Sequence, residues 1–180
     1  MFADNENPAA LPQNLEAVIR NYAPESQMLA RNLFRVYGMP DEATASRMTW
    51  FNKGGVFHES TISAEATPHN FPVPHFDVLE QSVYYPMGNV VGKYDQLAAF
   101  DGSLTLRRTQ GVIAARHNSP AMNLLAINLA HEIITGRRDW QQARLYFGQA
   151  MRALQQGAKV PYAQGLVFRP TQTQDVDVSV

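Results

Sequence analysis

Five histidines, His58, His69, His75, His117 and His131, carry most of the chemistry this chain can offer. The densest group is the run PHNFPVPHFD, residues 68–77. His69 and His75 stand six apart across a segment stiffened by Pro68, Pro72 and Pro74, which lowers the entropy cost of gathering them. His75 and Asp77 are two apart at the start of a predicted strand. Period two puts both on one face with Leu79, Val83 and Tyr85, an apolar face that should point inward. Two imidazoles and a carboxylate are the ligand set of a facial metal site with open positions for substrate. His69, His75 and Asp77 are therefore the candidate ligands of a divalent transition metal. The pair His75 and Asp77 also suits acid–base catalysis, with the carboxylate orienting the ring. A structural reading competes with both, because His-x-Asp pairs are common and no His-Glu-x-x-His motif is present.

His131 lies in an apolar helical run beside Glu132, with Asn128 and Thr135 on the same polar stripe. A core histidine hydrogen-bonded to a neighbour accounts for it. His58 has no partner nearby in sequence.

A second candidate site rests on two arginines of a predicted hairpin. With Gln110–Gly111 as its turn, Arg107 faces Ala114 and Thr105 faces Arg116. Arg107 and Arg116 then sit diagonally on one face, about 7–8 Å apart. Two guanidinium forks near the N-terminus of the following helix would hold a carboxylate or phosphate, so a small anionic molecule is the ligand this site suggests. Pairing with Asp or Glu elsewhere in the chain explains the same residues structurally.

Composition narrows the classes. The 180 residues contain no cysteine, which removes disulfides, thiolate nucleophiles and Cys-type zinc sites. No phosphate-binding glycine loop and no Gly-x-Ser-x-Gly elbow is present. A pI near 6.5, with aromatics not interleaved among basic residues, argues against a nucleic-acid partner. No apolar run reaches 18 residues, so no membrane partner is expected. MFADNENPAALPQ lacks the marks of a signal peptide, and a cytoplasmic protein is expected. Residues 1–100 hold 11 acids and 6 bases, whereas residues 101–180 hold 5 and 9. A weakly charged surface, at 17% charged residues, favours a homo-oligomer.

The elements that must position these residues follow from periodicity and caps. Leu11, Leu15, Val18, Ile19 and Tyr22 mark one helix, and Met28 to Tyr37 a second after Pro24. Ala45, Met48 and Phe51 predict a third, capped by Asp41. Val56–Ala66 and Phe76–Tyr85 predict strands, Ser103–Thr109 and Val112–His117 the hairpin, and Tyr162–Phe168 a further strand. Ser119 as N-cap, Pro120 at N1 and Gly136 as stop bound a nearly all-apolar helix. Asp139 caps the last one, ended by Gly157. The short GRRD link makes these two an antiparallel pair.

The fold class expected is α+β. N-terminal helices precede a small, mainly antiparallel sheet from the middle of the chain, and the C-terminal helix pair packs on it. Residues 1–169 are expected as a single globular domain and 170–180 as a polar, mobile tail. Two functions fit. One is a small-ligand-binding or catalytic domain with a His/Asp site and an Arg anion site. The other is a non-enzymatic homo-oligomeric interaction protein in which the His–Asp pairing is structural.

Overall fold

The computed structural model describes residues 10–173, 175 and 177. Six strands form one antiparallel sheet: β1 (Glu42–Ala43), β2 (Arg47–Phe51), β3 (Glu59–His69), β4 (His75–Tyr84), β5 (Leu104–Arg107) and β6 (Val112–His117). Their spatial order is β1-β2-β3-β4-β6-β5. Five α-helices among the described residues accompany them: α1 (Gln13–Ile19), α2 (Pro24–Tyr37), α3 (Tyr94–Phe100), α4 (Pro120–Ile134) and α5 (Trp140–Gln155). This is the α+β class with N-terminal helices, a middle sheet and a C-terminal helix pair. No helix among the described residues is long and apolar enough to cross a membrane.

Alternation along the strands decides which face the helices cover. Met48 and Trp50, Ile62, Leu79 and Val83, Ile113 and Ala115 share one face and are buried. Two apolar clusters form there. Leu15, Ile19, Leu29 and Leu33 of α1 and α2 meet Met48, Trp50 and Ile62. Leu125, Ile127, Leu129 and Phe147 of α4 and α5 meet Val83, Ile113 and Phe100. The opposite face carries Thr49, Thr61, Ser63, Glu80, Arg107 and Arg116.

The caps read from sequence hold α4 and α5. The Ser119 hydroxyl accepts from the Met122 N–H, and Asp139 forms a capping box with Gln142.

Four expectations need correction. Residues 41–51 form β1 and β2, not a helix, because Met48 and Trp50 enter the core with period two while Arg47 and Phe51 stay exposed. Residues 94–100, part of a 55–100 stretch read as lacking helical period, form α3. The expected strand at 162–168 is absent. A 3-10 turn over Pro161–Ala163 leads into an irregular segment. Asn128 catches it by donating to the Tyr162 and Gly165 carbonyls and accepting from the Val167 N–H, all at 2.8–2.9 Å.

The hairpin register also differs. Arg108–Gln110 make a 3-10 turn closed by Gly111 at φ 64°, so Arg107 faces Val112 and Thr105 faces Ala114. A slip of two residues keeps Arg107 and Arg116 on one face. It separates them by four strand positions, about 13 Å. Of the expected tail, residues 174, 176 and 178–180 lie outside the described residues, as do residues 1–9 of the N-terminal segment.

Candidate functional site

The β3–β4 hairpin sets His69 directly opposite His75 and Thr67 opposite Asp77. Cross-strand partners share a face, so both rings and the carboxylate lie on the helix-covered side. The third imidazole comes from β6, whose last residue His117 pairs with Leu79 on the same side. One ring nitrogen each of His69, His75 and His117 lies within 4.8 Å of those of the other two. The His117 ring stacks at 5.4 Å on His75 and 5.8 Å on His69. Asp101, at the C-terminus of α3, brings a second carboxylate, and both it and His117 have side chains closed to solvent.

Each ring is fixed through its Nδ1. His75 Nδ1 lies 2.8 Å from the Val73 carbonyl, and His117 Nδ1 lies 3.0 Å from the Asn123 amide oxygen. Asn123 is itself held, donating to the Leu79 carbonyl and to Gln81. His69 Nδ1 lies 3.1 Å from the Ser103 hydroxyl, which also donates to Asp77. These contacts set the His75 and His117 tautomers so that Nδ1 bears the proton and Nε2 offers a lone pair.

The freed atoms converge. His75 Nε2 is 3.0 Å from Asp77 Oδ1, and His117 Nε2 is 3.1 Å from Asp101 Oδ2. Neither His75 Nε2, His117 Nε2 nor Asp101 Oδ2 makes a hydrogen bond, because the contacts are close but misaligned. Seven buried side-chain polar atoms among the described residues lack a partner, and three of the seven are in this cluster. Its surroundings are apolar: Phe147 meets the His117 ring edge-on at 5.6 Å. Phe71 of the hairpin loop packs edge-on against Phe147 and Phe100. The Arg144 guanidinium of α5 covers the other side of Phe71 at 3.7 Å and donates to the Phe100 carbonyl.

Burial opposes the imidazolium form of His75, yet Asp77, the Val73 carbonyl and the charge on Asp101 outweigh it, and its pKa is raised. Burial likewise pushes the Asp77 carboxyl up. His75 and Ser103, with the charges of His117 and His69, overcome that and leave it lowered.

A cleft of about 400 Å³ opens beside the cluster, lined by His69, Asp77, Ser103, Thr105, Glu80 and Arg116 among others. His69, at 17% side-chain exposure, stands at this mouth, whereas His75 at 3% and His117 at 0% lie behind it.

The structure thus brings His69, His75 and Asp77 together and adds His117, Asp101 and Ser103, which the sequence reading did not join to them. It does not bring Arg107 and Arg116 to one ligand. Arg107 donates to Glu80 at 2.6 Å and lies 3.9 Å from Glu59. Arg116 donates to the Ser63 hydroxyl at 2.6 Å and the Glu65 carbonyl at 3.4 Å. His131 Nδ1 meets the Tyr85 hydroxyl at 2.9 Å and its ring stacks on Phe168; the His58 ring lies tilted against Tyr84, with centroids 4.3 Å apart. Comparison with known proteins finds no match to this chain among family models, curated proteins or solved structures.

Proposed function

We propose that this chain is a metal-dependent catalytic domain for a small molecule. His69, His75 and His117 would be the nitrogen ligands of one divalent transition metal, with Asp77 and Asp101 as the nearby carboxylates. The observation that carries this reading is the convergence of buried atoms with no partner: His75 Nε2, His117 Nε2 and Asp101 Oδ2. A buried carboxylate oxygen without a hydrogen-bond donor is costly, and so are two buried ring nitrogens set 3.0 and 3.1 Å from carboxylate oxygens without a hydrogen bond. A cation answers all three at once. Ligand atoms around a metal at about 2.1 Å stand about 3.0–3.4 Å apart, so the rings need shifts of about 1 Å to close on it. Imidazole and carboxylate donors without thiolate suit Zn²⁺, Fe²⁺, Mn²⁺ or Co²⁺.

A bound metal would polarise a substrate oxygen or a water molecule. The chain's own groups supply the rest. The Nδ1 contacts orient the rings, the three phenylalanines exclude water from the deep side, and Ser103 and Asp77 can hold or pass a proton at the mouth of the cleft.

Metal analysis of protein purified without a histidine tag tests the reading. We expect about one transition-metal ion per chain, lost in His117→Ala. Restoring metal to chelator-treated protein at about a thousandfold over its Kd should add about 4 kcal/mol of stability. Absence of stoichiometric metal, together with an unmoved Tm on adding Zn²⁺, Mn²⁺, Fe²⁺ or Co²⁺, would overturn it.

A further inference from the structure

We infer that the cleft beside the histidine cluster holds the oxyanionic end of a substrate, a carboxylate or phosphate, between Arg116 and the metal; this rests on the metal reading above. Among the described residues, Arg116 is the only arginine lining that cleft. Its Nη2 is occupied by Ser63 and the Glu65 carbonyl, while Nε and Nη1 make no hydrogen bond to the described residues. No carboxylate among the described residues lies within 4.0 Å of it. Arg107 and Arg116 share one sheet face, but of these two only Arg107 has its charge answered by described residues there, Glu80 and Glu59.

Among the described residues lining the cleft, Arg116 is the charged side chain with no partner of opposite sign. Glu80 lines it but is held by Arg107 at 2.6 Å. Asp77 and Asp101 together would balance a divalent metal. Arg116 then remains as one positive charge with two donors free, at a site partly shielded from water. A guanidinium fork with free N–H groups matches the paired oxygens of a carboxylate or phosphate. The hydroxyls of Thr67 and Thr105 line the same cleft and can donate to the same oxygens. His69 and Asp77 line it too, so an oxyanion on Arg116 would place the rest of a small substrate against the exposed edge of the metal cluster.

The experiment uses the full chain reconstituted with Co²⁺, whose visible spectrum reports the metal's surroundings. Inorganic phosphate and malonate are titrated in separate arms, by calorimetry and by the Co²⁺ spectrum. The expected result is saturable binding of at least one of the two, with a spectral change, and the arm that binds more tightly identifies the oxyanion class. Arg116→Gln should weaken that binding about tenfold or more, with Co²⁺ stoichiometry unchanged. Thr105→Glu is the second variant. It leaves Arg116 in place and adds a negative charge to an exposed position in the cleft, and should weaken anion binding likewise. Binding that neither variant alters overturns the oxyanion inference and leaves the metal reading standing. So does absence of binding in both arms while Co²⁺ is held. Failure to hold Co²⁺ at all overturns the metal reading and this inference with it.

Discussion

Two buried polar clusters lie at opposite ends of α4, and they are built on opposite terms. At its C-terminal end every buried polar group of Asn128, His131 and Glu132 has a partner. Asn128 bonds three backbone groups of the 162–167 segment, His131 meets Tyr85, and Glu132 meets Arg138 and the Tyr162 hydroxyl. Near its N-terminal end Asn123 anchors His117, yet His117, His75 and Asp101 each keep one buried atom unpartnered. Folding alone selects the first arrangement, because a satisfied polar network adds stability and fixes a conformation. The second forfeits stability in the free protein. The difference separates a cluster whose buried polar groups are satisfied within the fold from one in which three buried atoms are not.

That contrast can be broken by mutation, and the two clusters should answer with opposite signs. The largest effect belongs to Asn128→Ala. Three hydrogen bonds are lost and two carbonyls are left facing the helix, so urea denaturation should report a loss of about 3 kcal/mol, the same with or without added metal. Asp101→Asn should do the reverse in metal-free protein. The Asn carbonyl oxygen keeps the Ser103 N–H at the 2.9 Å position, the amide offers a donor to His117 Nε2, and a buried uncompensated charge disappears. We expect a gain of about 1 kcal/mol in the same measurement, accompanied by weaker metal binding. Destabilisation of the metal-free protein by this change would mean that Asp101 and His117 form an ordinary structural ion pair.

The smallest effect is a pH dependence in the partnered cluster. Burial, aided by the Arg137 charge and opposed by Glu132, lowers the His131 pKa from its ordinary 6.5. In the unfolded chain the ring takes up a proton as pH falls through 6.5; in the folded chain it resists until lower pH. The stability His131 contributes is therefore present above pH 6.5 and is lost on acidification through its folded pKa. The stability difference between wild type and His131→Asn should shrink between pH 7.5 and 5, and a difference that grows would reverse the assignment.

Much of the partnered architecture was legible in the sequence, and half of the unpartnered cluster was. Ser119, Pro120 and Asp139 announce α4 and α5 because caps are local chemistry. His75 and Asp77 are legible together because two residues along a strand share a face. His69 is legible because a proline-stiffened loop keeps it near. His117 is not, since it arrives through the pairing of β4 with β6, strands separated by α3 and β5 in the chain, and Asp101 is not, since it comes at the end of α3, which periodicity did not reveal. Spacing carries no record of which non-consecutive strands will pair. The misreading at 41–51 has a different source. Ala45, Met48 and Phe51 fit a helical period with only three points, and the strand alternation of Met48 and Trp50 lies within the same few residues. α3 was hidden because seven residues flanked by Gly92 and Gly102 offer more turn signal than periodicity.

The stack of Arg144 on Phe71 also sets an order of events in synthesis. His69 and His75 leave the ribosome on a loop with nothing yet to pack against. Asp101 and His117 follow, but Phe147 and Arg144, which close the deep side of the loop, are among the last helical residues to emerge. The deep side of the His117 ring is closed only once α5 has docked and brought Phe147 against it. If the three histidines hold a metal as proposed, a nascent chain exposing the first two would offer only an incomplete chelate, and retention of the ion would be a late step that reports a finished fold.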